Sequence, residues 1–155
     1  MSTLNDLLAK IDSKEARVAV IGLGYVGLPL AVEFARAGYR VTGLDVDERK
    51  VTLLASGVSY IPDVPTEEVE PLVRSGRLTA TTDYAALAEA DAISICVPTP
   101  LSKTKDPDIS YIVAASDGVG RCAHAGMLVV LESTTYPGTT EEIIRPRIME
   151  NGLRV

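Results

Sequence analysis

The stretch from Ala19 to Ala31, AVIGLGYVGLPLA, limits what this chain can fold into more than any other part of it. An apolar run gives up its side chains at Gly22, Gly24 and Gly27, although glycine loses more backbone entropy on folding than any other residue. Apolar residues lead into the glycines, and Val26, Leu30 and Phe34 follow at helical spacing. A G-x-G-x-x-G set between a strand and a helix has a mechanical reading. Its first glycine permits a tight turn, its second lets the backbone approach a pyrophosphate, and its third lets the helix pack close to the strand. The helix start then offers free N–H groups and a partial positive charge to phosphates. Such a motif also serves plain helix-to-strand packing, so its surroundings must decide.

The surroundings read as alternating strands and helices. Expected strands are Arg17 to Gly22, Arg40 to Leu44, Leu78 to Thr81, Ala92 to Val97 and Met127 to Leu131, mostly apolar as strands covered on both faces should be. A helix is expected from Val26 to Ala37, stopped by Gly38. Thr66 is expected to cap another, with Glu67 and Glu68 in its first turn and Gly76 at its end. Asp83 and Asp108 stand where two further N-caps belong, and Thr139 or Thr140 could cap a last helix. Residues 1–16 carry Leu4, Leu7, Leu8 and Ile11 at helical spacing and read as an amphipathic extension outside the sheet. The order implies an α/β architecture, a Rossmann-like doubly wound parallel sheet with helices on both faces over residues 17–155. In such a sheet ligands bind beyond the carboxyl ends of the strands.

Composition removes several classes of function. The net charge of −6 argues against nucleic acid as a partner, because phosphate backbones select basic surfaces. Cys96 and Cys122 cannot build a disulfide framework, and His124 is the one histidine, so no metal site is expected. The sequence shows neither a membrane-span pattern nor a secretory signal pattern, and the expectation is a cytoplasmic protein.

The second expected strand runs into Asp45, eighteen residues beyond Gly27, close to where the dinucleotide fingerprint puts an acid for the ribose hydroxyls. With Asp47 and Glu48 nearby, a 2′-phosphate would be repelled, so NAD is expected over NADP, a preference that Arg49 and Lys50 weaken. The fourth strand runs into ICVPTPLSKTKDPD, where Pro98 and Pro100 halt regular structure, and the fifth into LESTTYPGTTEE, which crowds hydroxyls beside a Pro137-Gly138 turn.

Taken together, GLGYVGLPLA, GLDVDERKV, ICVPTPL and ESTTYPGTT resemble the N-terminal cofactor domain of the nucleotide-sugar 6-dehydrogenases, the UDP-glucose and GDP-mannose dehydrogenase family. SYIPDVP and TPLSKTKDPDISYI look most like the branch oxidising UDP-N-acetylglucosamine. The resemblance implies oxidation of the C6 alcohol of a UDP-sugar to a carboxylate with two NAD, through a thiohemiacetal or thioester on a cysteine. It also implies a homo-oligomeric intact enzyme. Carried over by position, Gly22, Gly24, Tyr25, Val26 and Gly27 would hold the pyrophosphate side, and Asp45 and Lys50 the adenosine ribose. Thr99 and Thr134 would line the nicotinamide end, with Thr134 matching the threonine that orders a water at the reacting carbon. The catalytic cysteine, its lysine and asparagine helpers and the glutamate of an SPE-type loop would lie beyond Val155. The expectation is therefore a truncated NAD-binding domain without the central helix and the UDP-sugar domain, inactive by itself. Cys96, Cys122 and His124 read as structural.

Two other readings account for part of this pattern. A non-enzymatic NAD-sensing module, like the regulatory domains of cation channels, explains GLGYVG and Asp45 but not ESTTYPGTT or CVPTPL. A β-hydroxyacid dehydrogenase related to 6-phosphogluconate dehydrogenase shares the glycine opening but usually has Met where Val26 stands, and its NADP-using members favour Asn-Arg over Asp45-Val46.

Overall fold

The structure is a computed structural model that describes residues 3–102, 105–150 and 152–153. Helix α1 (Thr3–Asp12) leads into β1 (Arg17–Ile21), α2 (Gly27–Arg36), β2 (Arg40–Leu44), α3 (Glu48–Ala55), α4 (Thr66–Arg74) and β3 (Leu78–Thr81). A 3-10 helix (Tyr84–Glu89) precedes β4 (Ala92–Ile95), α5 (Ser110–Cys122) and β5 (Leu128–Leu131), and a π turn (Thr140–Ile144) runs into α6 (Arg145–Met149). The strands form one five-stranded sheet in the order β3-β2-β1-β4-β5, and every pairing is parallel. The fold class is the expected Rossmann-like one.

Side-chain alternation along β1 assembles a core on each face. Val18 and Val20 join Leu28, Val32, Leu54 and Leu78 on one side, while Ala19 and Ile21 join Ile93, Ile95, Ile112 and Val119 on the other. Burying each such Ile or Leu contributes about 1.5–3 kcal/mol of transfer free energy, so the central strand is held from both faces.

Several expected boundaries differ. β1, β4 and β5 are shorter than read, because Gly22 turns away at φ +90, Cys96 and Val97 follow β4, and Met127 precedes β5. α2 starts at Gly27 and ends at Arg36, one residue inside each expected end. Thr66 does not cap α4. Pro65, extended at φ −64 and ψ 145, delivers the chain into the helix, and the Thr66 hydroxyl accepts the Ser59 N–H at 3.1 Å, bracing the preceding loop instead. Asp83 caps as expected, accepting the Ala85 N–H at 2.9 Å, but the element it starts is a 3-10 helix. Asp108 accepts the Ser110 N–H at 2.9 Å at the start of α5. Thr139 caps nothing; it is buried in helical conformation with its hydroxyl donated to the Tyr136 carbonyl. α3 is a further helix beyond those expected, and Asp47 is its N-cap, accepting the Arg49 N–H. Val155 lies outside the described residues.

Candidate functional site

The glycine turn closes because of two contacts that any side chain would break. A Cβ on Gly22 would stand 2.6 Å from the Cys96 carbonyl oxygen, and one on Gly27 would stand 1.6 Å from the Gly22 carbonyl oxygen. Both distances are far inside van der Waals contact with backbone, which cannot move aside as a flexible side chain can. Gly24 differs, since a Cβ there would meet nothing within 4 Å. Packing within the chain therefore accounts for Gly22 and Gly27, and Gly24 leaves open backbone facing the cleft.

The tip of the turn is tied down through Leu23. Its side chain is fully buried over Gly43 on β2, its N–H donates to Asp45 Oδ2 at 2.8 Å, and its carbonyl accepts the Tyr60 hydroxyl at 2.7 Å. Asp45 is 7% exposed and also accepts the Asp47 N–H at 2.9 Å and pairs with Lys50 Nζ at 3.2 Å. Burial, with the nearby Asp45 and Asp47 carboxylates adding to it, raises the Tyr60 phenol well above its usual value, so this hydroxyl stays a donor across the physiological range. The Arg49 guanidinium is engaged by Asp47 at 3.1 Å, and that bond holds the Asp47 carboxyl below its ordinary range.

One cleft beyond the strand ends is lined by Gly22, Gly24, Tyr25, Val26, Asp45, Lys50, Thr99 and Thr134, all singled out in the sequence. Gly27 lies beneath it, against Gly22. Tyr25 and Val26 are 73% and 60% exposed, large apolar surface left bare at the mouth. The cleft continues past Asp45 into a hollow with Val46, Tyr84, Pro98, Tyr111 and Ala114. At the start of α2 the Leu28 N–H donates to the Gly24 carbonyl at 3.1 Å and Pro29 has no N–H, so the donors left for a phosphate are the N–H groups of the turn leading into the helix, from Gly24 to Gly27.

Three side chains here escaped sequence reasoning. Tyr60 is far in sequence from the carbonyl it holds, and Tyr84 is fixed by its ring lying against the bare Cα of Gly118. Glu132 lines the cleft beside Thr134, with no sequence signal apart from its nearness to that residue. Cys96 lies one residue past β4, not within a strand, and floors the cleft; its N–H donates to the Ile21 carbonyl at 2.7 Å. Burial, together with the Glu132 carboxylate, pushes its thiol up to about 11, the opposite of an activated nucleophile. Cys122 and His124 lie elsewhere, the thiol against the Tyr84 carbonyl and the imidazole between the Ala90 and Ala125 carbonyls.

The residues present fit a dinucleotide, with open backbone at Gly24, a helix start above it and a buried acid at the end of the neighbouring strand. The model of the UDP-glucose/GDP-mannose dehydrogenase family, NAD binding domain, matches residues 16–154. The chain belongs to this family. Its cofactor is NAD.

Named relatives agree with the assignment. This NAD-binding domain is 43% identical over 129 residues to a UDP-N-acetyl-D-glucosamine 6-dehydrogenase of Salmonella typhi, covering 83% of the domain and 29% of that protein. It is 41% identical over 142 residues to a UDP-N-acetyl-D-mannosamine dehydrogenase of Pyrococcus horikoshii, covering 89% and 33%. The crystal structure of an NDP-N-acetyl-D-galactosaminuronic acid dehydrogenase from Methanosarcina mazei superimposes with a TM-score of 0.87 at 35% identity, covering all of this chain and 35% of that one. The chain thus spans about a third of the length of the relatives it matches. Among the described residues no helix is long and apolar enough to cross a membrane, and no group of His, Cys, Asp or Glu could hold a metal ion.

Proposed function

We propose that this domain is the cofactor half of a cytoplasmic, homo-oligomeric enzyme that oxidises the C6 alcohol of a UDP-sugar, UDP-N-acetylglucosamine, to the uronic acid at the expense of two NAD. The observation that carries the reading is the joint placement of the glycine turn and Asp45, one carboxylate that both braces the turn and borders the cleft. In this reading Gly22, Gly24, Tyr25, Val26 and Gly27 shape the pyrophosphate seat, where Gly24 lets the phosphates approach and the N–H groups of the turn leading into α2 bind them. Asp45 accepts from the ribose hydroxyls and Lys50 steadies that carboxylate. The same buried acid disfavours the doubly charged phosphate of NADP. Thr99 and Thr134 border the opposite end of the cleft, where we seat the nicotinamide, with Thr134 ordering a water at the reacting carbon. The bound cofactor supplies the hydride acceptor. Resemblance of SYIPDVP and the 43% identity to a UDP-N-acetyl-D-glucosamine 6-dehydrogenase support the choice of sugar.

The base and the nucleophile that oxidation to an acid requires are assigned to the remainder of a whole protein of the relatives' length. Cys96 does not supply them, because its thiol stays protonated at neutral pH. Calorimetric titration of the chain with NAD and NADP tests the cofactor site, and equal or tighter NADP binding overturns it. Following NADH absorbance with the chain, NAD and UDP-N-acetylglucosamine should show no turnover. A whole protein preferring UDP-glucose would refute the sugar assignment.

A further inference from the structure

The parallel register sets a carboxylate in the floor of the cleft. Ile21, Ile95 and Leu131 stand opposite one another on β1, β4 and β5, and both ladders continue one residue further, Cys96 N–H donating to the Ile21 carbonyl at 2.7 Å and Glu132 N–H to the Ile95 carbonyl at 2.9 Å. Gly22, Cys96 and Glu132 therefore follow one another as a row across the strand ends, at the floor of the cleft. Among the described residues the charged side chains lining this cleft are Asp45, Lys50 and Glu132. Asp45 and Lys50 neutralise each other at 3.2 Å, whereas among the described residues Glu132 has no cationic partner. Its charge is felt inside the cleft, since it adds to the burial that raises the Cys96 thiol. Ser133 and Thr134 follow Glu132 in the lining, which Thr99 shares, and in the sheet the end of β5 and the end of β2, where Asp45 stands, lie on opposite sides of β1.

We infer that Glu132 makes this site discriminate between the two redox states of its own cofactor, holding NAD more tightly than NADH through attraction to the pyridinium ring. The inference rests on the seating of the nicotinamide beside Thr99 and Thr134 given above. Oxidised nicotinamide carries a positive charge that the dihydropyridine lacks, while the pyrophosphate, both riboses and the adenine are the same in both states. A nearby carboxylate is therefore a difference that acts on one state and spares the other, which is what selectivity requires. Glu132 is exposed, so water screens the attraction, and an interaction a few ångströms long in that setting changes affinity by about fivefold. The consequence for a dehydrogenase is product release, because each turnover leaves NADH in a cleft whose Glu132 charge no longer favours it. Glu132 is a specificity-determining residue for oxidation state, distinct from Asp45, which acts on the ribose common to both.

The test is titration of the chain and of Glu132→Gln and Glu132→Lys with NAD and with NADH, far-ultraviolet circular dichroism confirming that each variant is folded. Glu132→Gln should weaken NAD about fivefold and leave NADH within about twofold, and Glu132→Lys should reverse the preference. Added salt should narrow the native ratio and leave that of Glu132→Gln unchanged. Equal weakening of both nucleotides, or an unchanged ratio in both variants, overturns the inference and leaves the cofactor seating intact. Native chain that binds neither nucleotide overturns the seating itself and the inference with it.

Discussion

The Asp45 carboxylate accepts the Leu23 N–H at 2.8 Å, joining the end of β2 to the tip of the glycine turn after β1. The bond is buried, and the same carboxylate holds the Asp47 N–H and Lys50. A residue read as a ribose ligand is thus also a brace for the phosphate seat. Replacing it must touch folding and binding together.

Asp45→Ala is expected to weaken NAD binding by about 1.5–3 kcal/mol, the range for a hydrogen bond to a charged group, and to cost about 2 kcal/mol of stability by stranding the Leu23 N–H. Asp45→Asn keeps an acceptor for Leu23 and should recover most of the stability while binding stays weak. Urea unfolding beside calorimetry separates the two effects. Full NAD affinity in Asp45→Ala would remove the acid from the site.

Gly24 and Gly27 should part company when each becomes alanine. Gly27→Ala drives a Cβ to within 1.6 Å of the Gly22 carbonyl oxygen and is expected to destabilise the fold by more than about 3 kcal/mol. Gly24→Ala meets nothing in the chain, so stability should stay within about 0.5 kcal/mol while NAD binding falls at least tenfold. A Gly24→Ala variant with native affinity would show that no phosphate approaches this backbone.

Tyr60 gives a pH signature. Its phenol titrates above the ordinary value of 10.0 in the folded chain, so the folded state holds the proton more tightly than the unfolded one. That stability is complete below about pH 10 and is lost as pH rises from there toward the folded value. Tyr60→Phe, which also loses the bond to the Leu23 carbonyl, should cost about 1 kcal/mol at neutral pH and flatten the alkaline decline. Thermal unfolding from pH 7 to pH 11 measures both.

Cys96 should resist alkylation. With the thiol pushed up to about 11, against an ordinary value of 9.0, its thiolate fraction at pH 8 falls about a hundredfold. In a Cys122→Ser background, iodoacetamide should modify it far more slowly than it modifies glutathione, and Cys96→Ser should bind NAD normally. Fast labelling at pH 8 would mean that the cleft activates the thiol.

The five strands, the parallel sheet and the position of the cofactor turn were legible in the local sequence, because each rests on spacing within a few residues. AVIGLG is an apolar run ending where only glycine fits, and VGLPLAVEF repeats at helical spacing. Boundaries were less legible where neighbours compete for the same groups. Thr66 has the chemistry of a cap, yet Pro65 sets the helix entry and the Thr66 hydroxyl goes to the Ser59 N–H. The helix α3 was hidden because Asp47, Glu48, Arg49 and Lys50 read as charges around a ligand, when Asp47 is an N-cap that also ties up Arg49.

The sequence by itself determined the motif, the acid at its offset and the four stretches whose likeness indicates the family. Only the tertiary structure decided that Tyr60 bonds the Leu23 carbonyl, that Gly118 is bare to admit the Tyr84 ring, and that Glu132 follows Gly22 and Cys96 across the strand ends. The reason is that hydrogen bonds and charges act through space at a few ångströms, whereas spacing records only what one helix turn or one strand brings together. Residues from five strands meet at the edge of this sheet, and their order there is set by the crossovers between them.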